Sequence, residues 1–356
     1  MAAPRFNELT LTDVQPETAD AVALSFRIPE SLKDAYAFTP GQYLTLRANI
    51  DGEDVRRSYS ICSPLGSETL SVGVKRIEGG RFSSHALTLA PGDTLEVMTP
   101  QGRFMAPVGG AHNYLLLAAG SGITPMVSIA RSVLEGEPES TVTLCYANRT
   151  TDSVMFRTEL DDLKDRFLTR FLLTHVMDEE AQDVELFNGR LDAEKLETLA
   201  TRGLITPKDY DAIYVCGPQP MIEAASAALR DLGASQERIK YELFTPSGAP
   251  PVASAHKAQL PIEGTQIDVV LDGARRSFRL TANDDSVIDA AARAGLDLPY
   301  SCNNGMCATC RCKLAEGEAE MAQNFSLEPW EQEAGFILAC QAQPKSTKIV
   351  LDFDAV

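Results

Sequence analysis

The sequence predicts a multidomain chain: an antiparallel β-barrel, then an α/β domain on a parallel sheet, then a small α+β domain around a cysteine loop. Three observations lead there. Short alternating or apolar runs separated by turn signals fill residues 1–107, continuous apolar strands alternate with helical stretches over 108–245, and five of the eight cysteines crowd the C-terminal part. A chain of 356 residues exceeds one ordinary core and suits two or three domains of about 100–200 residues each.

In the first part, strands are expected over 9–14, 21–28, 43–46, 55–61, 70–74 and 94–98. Pro40-Gly41, Asp51-Gly52, Pro64, Gly79-Gly80 and Pro91-Gly92 divide them. Short strands at that spacing make an antiparallel barrel. In the second part, 114–119 is an apolar strand followed by a glycine turn and a helical stretch over 125–134. Further strands are expected over 141–146, 171–175 and 212–216, the last leading into a helical run over 218–232. Buried strands alternating with helices make a parallel sheet. Residues 246–258 carry Pro246, Gly248, Pro250 and Pro251 without periodicity, the composition of a tether that lets the last domain move. The third part, 259–356, offers a hairpin (266–271 and 277–280 about Asp272-Gly273), a helix over 286–294, and the cysteine loop.

Composition narrows the class. Apolar content of 44% with 23% charge allows each part a core. The N-terminus does not resemble a signal peptide. The longest uncharged apolar stretch, 114–130, is broken by Gly120, Ser121, Gly122, Thr124 and Pro125 and falls short of the roughly 20 apolar residues of a membrane span. A cytoplasmic protein with no membrane partner is expected. A net charge of −18 opposes binding to nucleic acid and suits a protein partner with a basic face. His85, His112, His175 and His256 are scattered and read as structural or surface residues.

The sharpest chemical signal is Cys302-x4-Cys307-x2-Cys310, with Cys340 well downstream. This is the plant-type spacing in which four thiolates hold a 2Fe-2S cluster. The small residues Ser301, Asn303, Asn304, Gly305, Ala308 and Thr309 leave backbone N–H groups free to face sulfur. Structural zinc also accepts four cysteines, but its sites present two Cys-x2–4-Cys pairs, and here the fourth cysteine stands alone. Cys312, on the strand leaving the loop, reads as a small core or surface residue.

Two further motifs point to nucleotide cofactors. Arg57-Ser58-Tyr59-Ser60 closes an expected strand: the arginine can fork onto a pyrophosphate, the tyrosine can stack on a flavin ring, and the serine can bond the flavin edge. After it, Val74-Lys75 precedes Gly79-Gly80-Arg81-Phe82-Ser83, a glycine turn opening a helix of the kind that cradles phosphate. In the second part, Gly120-Ser121-Gly122-Ile123-Thr124-Pro125 is not the Gly-x-Gly-x-x-Gly fingerprint. It is nonetheless a glycine turn between a parallel strand and a helix, where open α/β sheets bind nucleotides. Cys216-Gly217-Pro218 ends the fourth strand. Asn148-Arg149-Thr150 follows the second, where an arginine can clasp a 2′-phosphate or simply stand in solvent.

With these motifs in order, residues 5–245 resemble the ferredoxin–NADP reductase superfamily and the third part resembles the plant-type ferredoxins, whose fold is a β-grasp. The resemblance implies that Arg57, Ser58, Tyr59, Ser60, Val74, Lys75, Gly80, Phe82 and Ser83 hold FAD. It implies that Gly120, Gly122, Thr124, Pro125, Arg149, Cys216, Gly217 and Pro218 hold the nicotinamide nucleotide, taken as NADPH rather than NADH. Ser60, Thr124, Cys216 and Glu242 are then expected at the reacting corner, and Cys302, Cys307, Cys310 and Cys340 on the cluster. The domain order is that of oxygenase reductases. The runs 57–62, 74–83, 118–126, the cysteine loop through Lys313 and Asn324-Phe325-Ser326-Leu327-Glu328-Pro329 look like those of phenylacetyl-CoA epoxidase reductases. That resemblance implies electrons passing from NADPH through FAD and the 2Fe-2S cluster to a multisubunit di-iron oxygenase. Alternatives are the reductase of another oxygenase, such as a Rieske enzyme acting on quaternary amines, and a non-catalytic redox sensor.

Overall fold

The computed structural model describes residues 5–244 and 264–355; the expected linker 246–258 and His256 lie outside the described residues. The chain folds as two compact units, one holding the barrel and the parallel sheet, the other the cysteine-loop domain.

The barrel sheet comprises β1 (Phe6–Thr18), β2 (Ala21–Arg27), β3 (Tyr43–Ile50), β4 (Glu53–Ser60), β5 (Thr69–Lys75) and β6 (Thr94–Met98), with the short helix α1 (Arg81–Ala86) between the last two. Its order is β4-β3-β6-β1-β2-β5. Ile61, one residue past β4, bridges Val72 of β5, so the two edges of the sheet meet. Alternation fills the inside: Leu9 and Leu11, Leu24 and Phe26, Leu44 and Leu46, and Val72 and Val74 form one buried cluster.

The second sheet is parallel throughout, from β7 (Asn113–Ala119), β8 (Thr141–Asn148), β9 (Phe171–Met177), β10 (Ala212–Gly217) and β11 (Ile239–Leu243), in the order β11-β10-β7-β8-β9. Helices α2 (Ile123–Gly136), α3 (Arg157–Arg166), α4 (Ala193–Thr201) and α5 (Gln219–Asp231) connect and cover it. The sequence expectation stopped at four strands. The fifth, β11, was hidden because its burial is partial and its Lys240 and Glu242 break the apolar run that marks the others. The strand order reverses direction between β7 and β10, which opens a crevice at their carboxyl ends.

Helix α2 is buried along nearly all its length because it lies between the two sheets. Its apolar side chains share a core with Ala21, Ala23, Cys62 and Phe104 of the barrel. Its hydroxyls bind the barrel backbone: Ser128 Oγ donates to the Ser63 carbonyl at 2.8 Å, and Ser132 Oγ accepts from Leu65 N–H at 2.9 Å.

The second unit holds a mixed sheet of β12 (Gln266–Leu271), β13 (Ala274–Arg279), β14 (Arg311–Glu316), β16 (Phe336–Leu338) and β18 (Lys348–Asp352), ordered β13-β12-β18-β14-β16. Helices α6 (Val287–Arg293) and α7 (Pro329–Glu333) and the small pair β15 (Ala319–Met321) and β17 (Ala342–Pro344) complete it. β12 and β18 pair in parallel between antiparallel neighbours, the β-grasp arrangement. Cys312 is fully buried in its core.

Asp268 of β12 anchors this sheet. Its buried carboxylate accepts from Gln266 at 3.0 Å, Ser277 at 2.6 Å and Arg275 at 2.7 Å, with the Lys348 ammonium 3.4 Å away. These hydrogen bonds, led by those from Gln266 and Ser277, hold its pKa well below the usual carboxylate range. Because the folded value is depressed, the stabilisation is complete above the unfolded pKa of about 3.9 and lost as pH falls through the folded value. Asp268→Ala is expected to destabilise this domain by about 2–3 kcal/mol at pH 7. Thermal melts from pH 7 downward check it: the gap between variant and wild type should narrow only below about pH 4.

Candidate active site and iron–sulfur loop

At the end of β7 the chain turns through Gly120, which has a φ of +53°. Gly122 follows with its backbone pressed on the end of β10: a Cβ there would stand 2.1 Å from the Cys216 carbonyl oxygen. Gly217 is as confined, since a Cβ would lie 2.9 Å from Met221 Sδ and 3.1 Å from Ala119 Cβ. These contacts draw together the glycine turn and the Cys216-Gly217-Pro218 corner, which lie far apart in sequence. Thr124 and Pro125 occupy the buried first turn of α2, where Thr124 Oγ1 donates to the Ser121 carbonyl at 3.1 Å. Pro218 caps α5.

The barrel meets this corner directly. A Cβ on Gly73 of β5 would come within 2.5 Å of Thr124 Cγ2 and 3.0 Å of the Phe156 ring. Ser60, buried at the end of β4, donates to Glu242 Oε2 of β11 at 3.0 Å. Serine, glutamate, threonine and cysteine thus come from four strand or helix ends in one unit. Burial, reinforced by the Glu242 carboxylate, pushes the Cys216 thiol well above its usual range, so it stays protonated at neutral pH.

Along β4, Arg57 is exposed and pairs with no carboxylate among the described residues, Ser58 is half-buried, and the half-buried Tyr59 ring lies 5.6 Å from that of Phe82. An exposed guanidinium, a partly open aromatic face and a hydroxyl in succession are a donor set that fits a flavin dinucleotide. The Gly79–Ser83 turn opens α1 as the sequence leads one to expect, with Gly80 at its N-cap. Ser83 Oγ accepts from Ile77 N–H at 3.1 Å and donates to the Gly80 carbonyl at 3.3 Å, so its hydroxyl closes its own loop. The side chains of Val74 and Phe82 are buried in the barrel, and the Lys75 ammonium lies 3.7 Å from Asp20. At these positions the backbone is what remains for a cofactor. Arg149, beyond β8, is exposed and free of ion pairs among the described residues, while the Glu180 carboxylate is engaged by Thr151 N–H at 2.6 Å and Oγ1 at 2.7 Å.

Sequence reasoning missed Gly73, Phe156 and Glu17. Phe156 holds a left-handed φ of +56°, and its N–H donates to Glu17 Oε2 of β1 at 2.8 Å. Burial raises the Glu17 pKa. The readable signal was Gly73, a glycine inside an apolar strand, which marks close approach of another segment.

In the other unit, Cys302, Cys307 and Cys310 lie on the loop between α6 and β14, and Cys340 enters from the turn after β16. Cys307 pushes the Cys302 thiol up, and Cys340 does the same to the Cys310 thiol, each effect reinforced by burial. Asn304 N–H points at Cys302 Sγ at 3.4 Å, and Gln341 Nε2 lies 3.6 Å from Cys340 Sγ. Among the described residues no three metal-binding side chains converge on a single-ion site. Four cysteine thiols from one loop and one turn, with the Asn304 N–H and the Gln341 amide beside two of them, are a donor set that fits a 2Fe-2S cluster.

A barrel with this donor set, a nucleotide crevice and a four-cysteine loop define a flavin- and iron–sulfur-dependent oxidoreductase. Comparison with known proteins agrees. Residues 8–105 match the oxidoreductase FAD-binding domain family, 116–227 the oxidoreductase NAD-binding domain family, and 269–345 the 2Fe-2S iron-sulfur cluster binding domain family. The chain is 46% identical to a subunit of the 1,2-phenylacetyl-CoA epoxidase of Escherichia coli, over 98% of each chain. It is 34% identical to the ferredoxin reductase component of 3-ketosteroid-9-alpha-monooxygenase from Rhodococcus rhodochrous, over 97% of this chain and 96% of that one. It is 31% identical to the glycine betaine monooxygenase reductase of Pseudomonas aeruginosa, over 95% and 92%. The fold is that of phthalate dioxygenase reductase, with a TM-score of 0.60 at 24% identity over 98% of each chain. The chain belongs to this family of oxygenase reductases. No helix among the described residues is long and apolar enough to cross a membrane.

Ser60→Ala is expected to slow reduction of bound flavin by a nicotinamide nucleotide about a hundredfold. Chemical reduction of the cluster should be unchanged. Anaerobic stopped-flow spectra resolve the two events.

Proposed function

We propose that the chain is the NADPH-dependent reductase of a di-iron phenylacetyl-CoA epoxidase and works in the cytoplasm. The observation that carries the electron-transfer reading is the Ser60–Glu242 hydrogen bond, which joins barrel to parallel sheet beside Thr124 and Cys216. The choice of partner rests on the 46% likeness to the epoxidase component. Residues 1–107 are assigned to FAD, 108–245 to the nicotinamide nucleotide, 246–258 to a linker and 259–356 to the cluster.

Flavin, when bound, supplies the exchange between a two-electron hydride donor and single-electron carriers such as a 2Fe-2S cluster. The chain's residues prepare that chemistry. Glu242 takes the Ser60 proton in a hydrogen bond, which orients the hydroxyl and leaves its lone pairs free to accept. Cys216, held as a neutral thiol, lines the corner without competing as a nucleophile. Thr124 and Gly73 set how closely barrel and crevice approach. Arg57 supplies a cation for a pyrophosphate. Arg149, with Glu180 engaged elsewhere, supplies one for a 2′-phosphate, which favours NADPH. Cys302, Cys307, Cys310 and Cys340 would hold the cluster.

A second reading, reductase of a quaternary-amine monooxygenase, is supported by the glycine betaine relative at 31% identity. The test is NADPH consumption by the purified protein with the oxygenase components of phenylacetyl-CoA epoxidase, with and without phenylacetyl-CoA. Strong stimulation with epoxide formed is expected; stimulation only by a betaine oxygenase and its substrate would transfer the assignment. Arg149→Ala should raise the KM for NADPH about tenfold and leave that for NADH unchanged. A wild-type KM for NADH at or below that for NADPH would overturn the nucleotide assignment.

A further inference from the structure

Most of the segment 323–333 belongs neither to the cofactor sites nor to the core, which takes from it only Leu327. It lies against the cysteine loop: Phe325 N–H and Ser326 Oγ both donate to the Gly305 carbonyl, at 3.0 and 3.1 Å. Gly305 leaves no room between them, since a Cβ there would stand 3.0 Å from the Gln323 carbonyl oxygen. Asn324 shapes the segment into a tight turn, its Oδ1 accepting from Leu327 N–H at 2.8 Å and its Nδ2 donating to the Leu327 carbonyl at 2.9 Å. Leu327 is buried. Helix α7 follows, with a capping box between Glu328 and Glu331. Glu331, buried, accepts from Arg311 Nε at 2.8 Å, and Arg311 follows the ligand position Cys310.

This well-fixed scaffold presents Trp330, the chain's single tryptophan, with 60% of its surface exposed. Nothing in the fold requires an indole there; the helix is held by Glu331 and Leu327. Exposed Glu328 and Glu333 flank it, with no cationic partner among the described residues. A fixed aromatic flanked by such carboxylates, on a segment hydrogen-bonded to the cysteine loop, has the make-up of a protein-binding hot spot.

We propose that the 323–333 segment is the surface on which the oxygenase component docks, with Trp330 as its anchor. The inference rests on the reading of the chain as an oxygenase reductase. The occupant is a protein face with an apolar slot rimmed by lysine or arginine, matching the acidic flanks and the overall charge of −18. Such docking brings the partner's acceptor beside the cysteine loop.

The experiment compares wild type with Trp330→Ala, Trp330→Phe and Glu333→Lys in oxygenase turnover. Each is assayed with the oxygenase components of phenylacetyl-CoA epoxidase, 3-ketosteroid 9-alpha-monooxygenase and glycine betaine monooxygenase. The KM for whichever oxygenase is productive should rise about tenfold or more in Trp330→Ala, recover largely in Trp330→Phe, and rise with a flatter salt dependence in Glu333→Lys. Bleaching of the cluster by NADPH without any oxygenase should stay within about twofold of wild type, because none of these residues touches a cofactor site. An unchanged KM in Trp330→Ala would overturn the proposal, as would an equal loss in oxygenase-free bleaching. A productive partner other than the epoxidase would sink the partner reading alone, since the same KM comparison still decides the docking surface.

Discussion

The reacting corner depends on one steric condition: backbone must touch backbone where the turn after β7 meets the end of β10. The Cβ that Gly122 lacks would sit 2.1 Å from the Cys216 carbonyl oxygen, far inside contact distance. Any other residue would force the two strand ends apart. Because β7 and β10 are hydrogen-bonded neighbours, that displacement would run back along both strands, through Cys216 and Ala118 to Val215 and Leu117. The crevice at the switch point is therefore a consequence of the packed sheet, and its width is set by a missing methyl group.

A second close approach carries this geometry into the barrel. Gly73 lets Thr124 and Phe156 lie on β5, and the buried helix α2 is pinned to barrel backbone at Ser63 and Leu65. Glu17 reaches from β1 to the N–H of left-handed Phe156. A non-glycine residue in that conformation costs about 1–3 kcal/mol and persists only where its surroundings hold it. Here the half-buried Glu17 carboxylate on one side and the packing of the ring on Gly73 on the other do so. The Ser60–Glu242 bond then spans a junction whose two sides are already fixed, so it can orient a hydroxyl without having to hold the domains together.

What could be read from sequence follows from how local each determinant is. The cysteine loop was legible because ligand spacing is written directly in the chain, and the barrel and parallel strands because their burial leaves alternating or continuous apolar runs. The strand ends moved by a few residues: β1 runs over Phe6–Thr18 where 9–14 was expected, and α2 begins at Ile123 rather than 125. β11 escaped because an edge strand bearing Lys240 and Glu242 has no apolar signature. Ser60 and Glu242 could be named from resemblance, but not their bond, which joins residues 182 apart. Glu17 and Phe156 carried no signal at all, since a left-handed phenylalanine is specified by its tertiary partners. In the Gly79–Ser83 turn the motif was visible, but not that the Ser83 hydroxyl closes its own loop, since that bond is set by the folded turn.

The cysteine loop poses the same problem of strain in a form that links structure to electron exit. Asn303 and Ala308 both take positive φ, at 54°, and Gly305 between them takes 73°. Alanine has no polar group to hydrogen-bond locally and offset the left-handed conformation, so the loop must be held from outside. Gln341 does this by donating to the Asn303 carbonyl at 2.9 Å, and Phe325 and Ser326 by donating to the Gly305 carbonyl. Phe325 and Ser326 belong to the segment that presents exposed Trp330 a few residues further on. N–H groups directed at ligand sulfurs tune a cluster's potential, so a surface joined to that loop is where binding of a partner and the energetics of the transferred electron can be coupled.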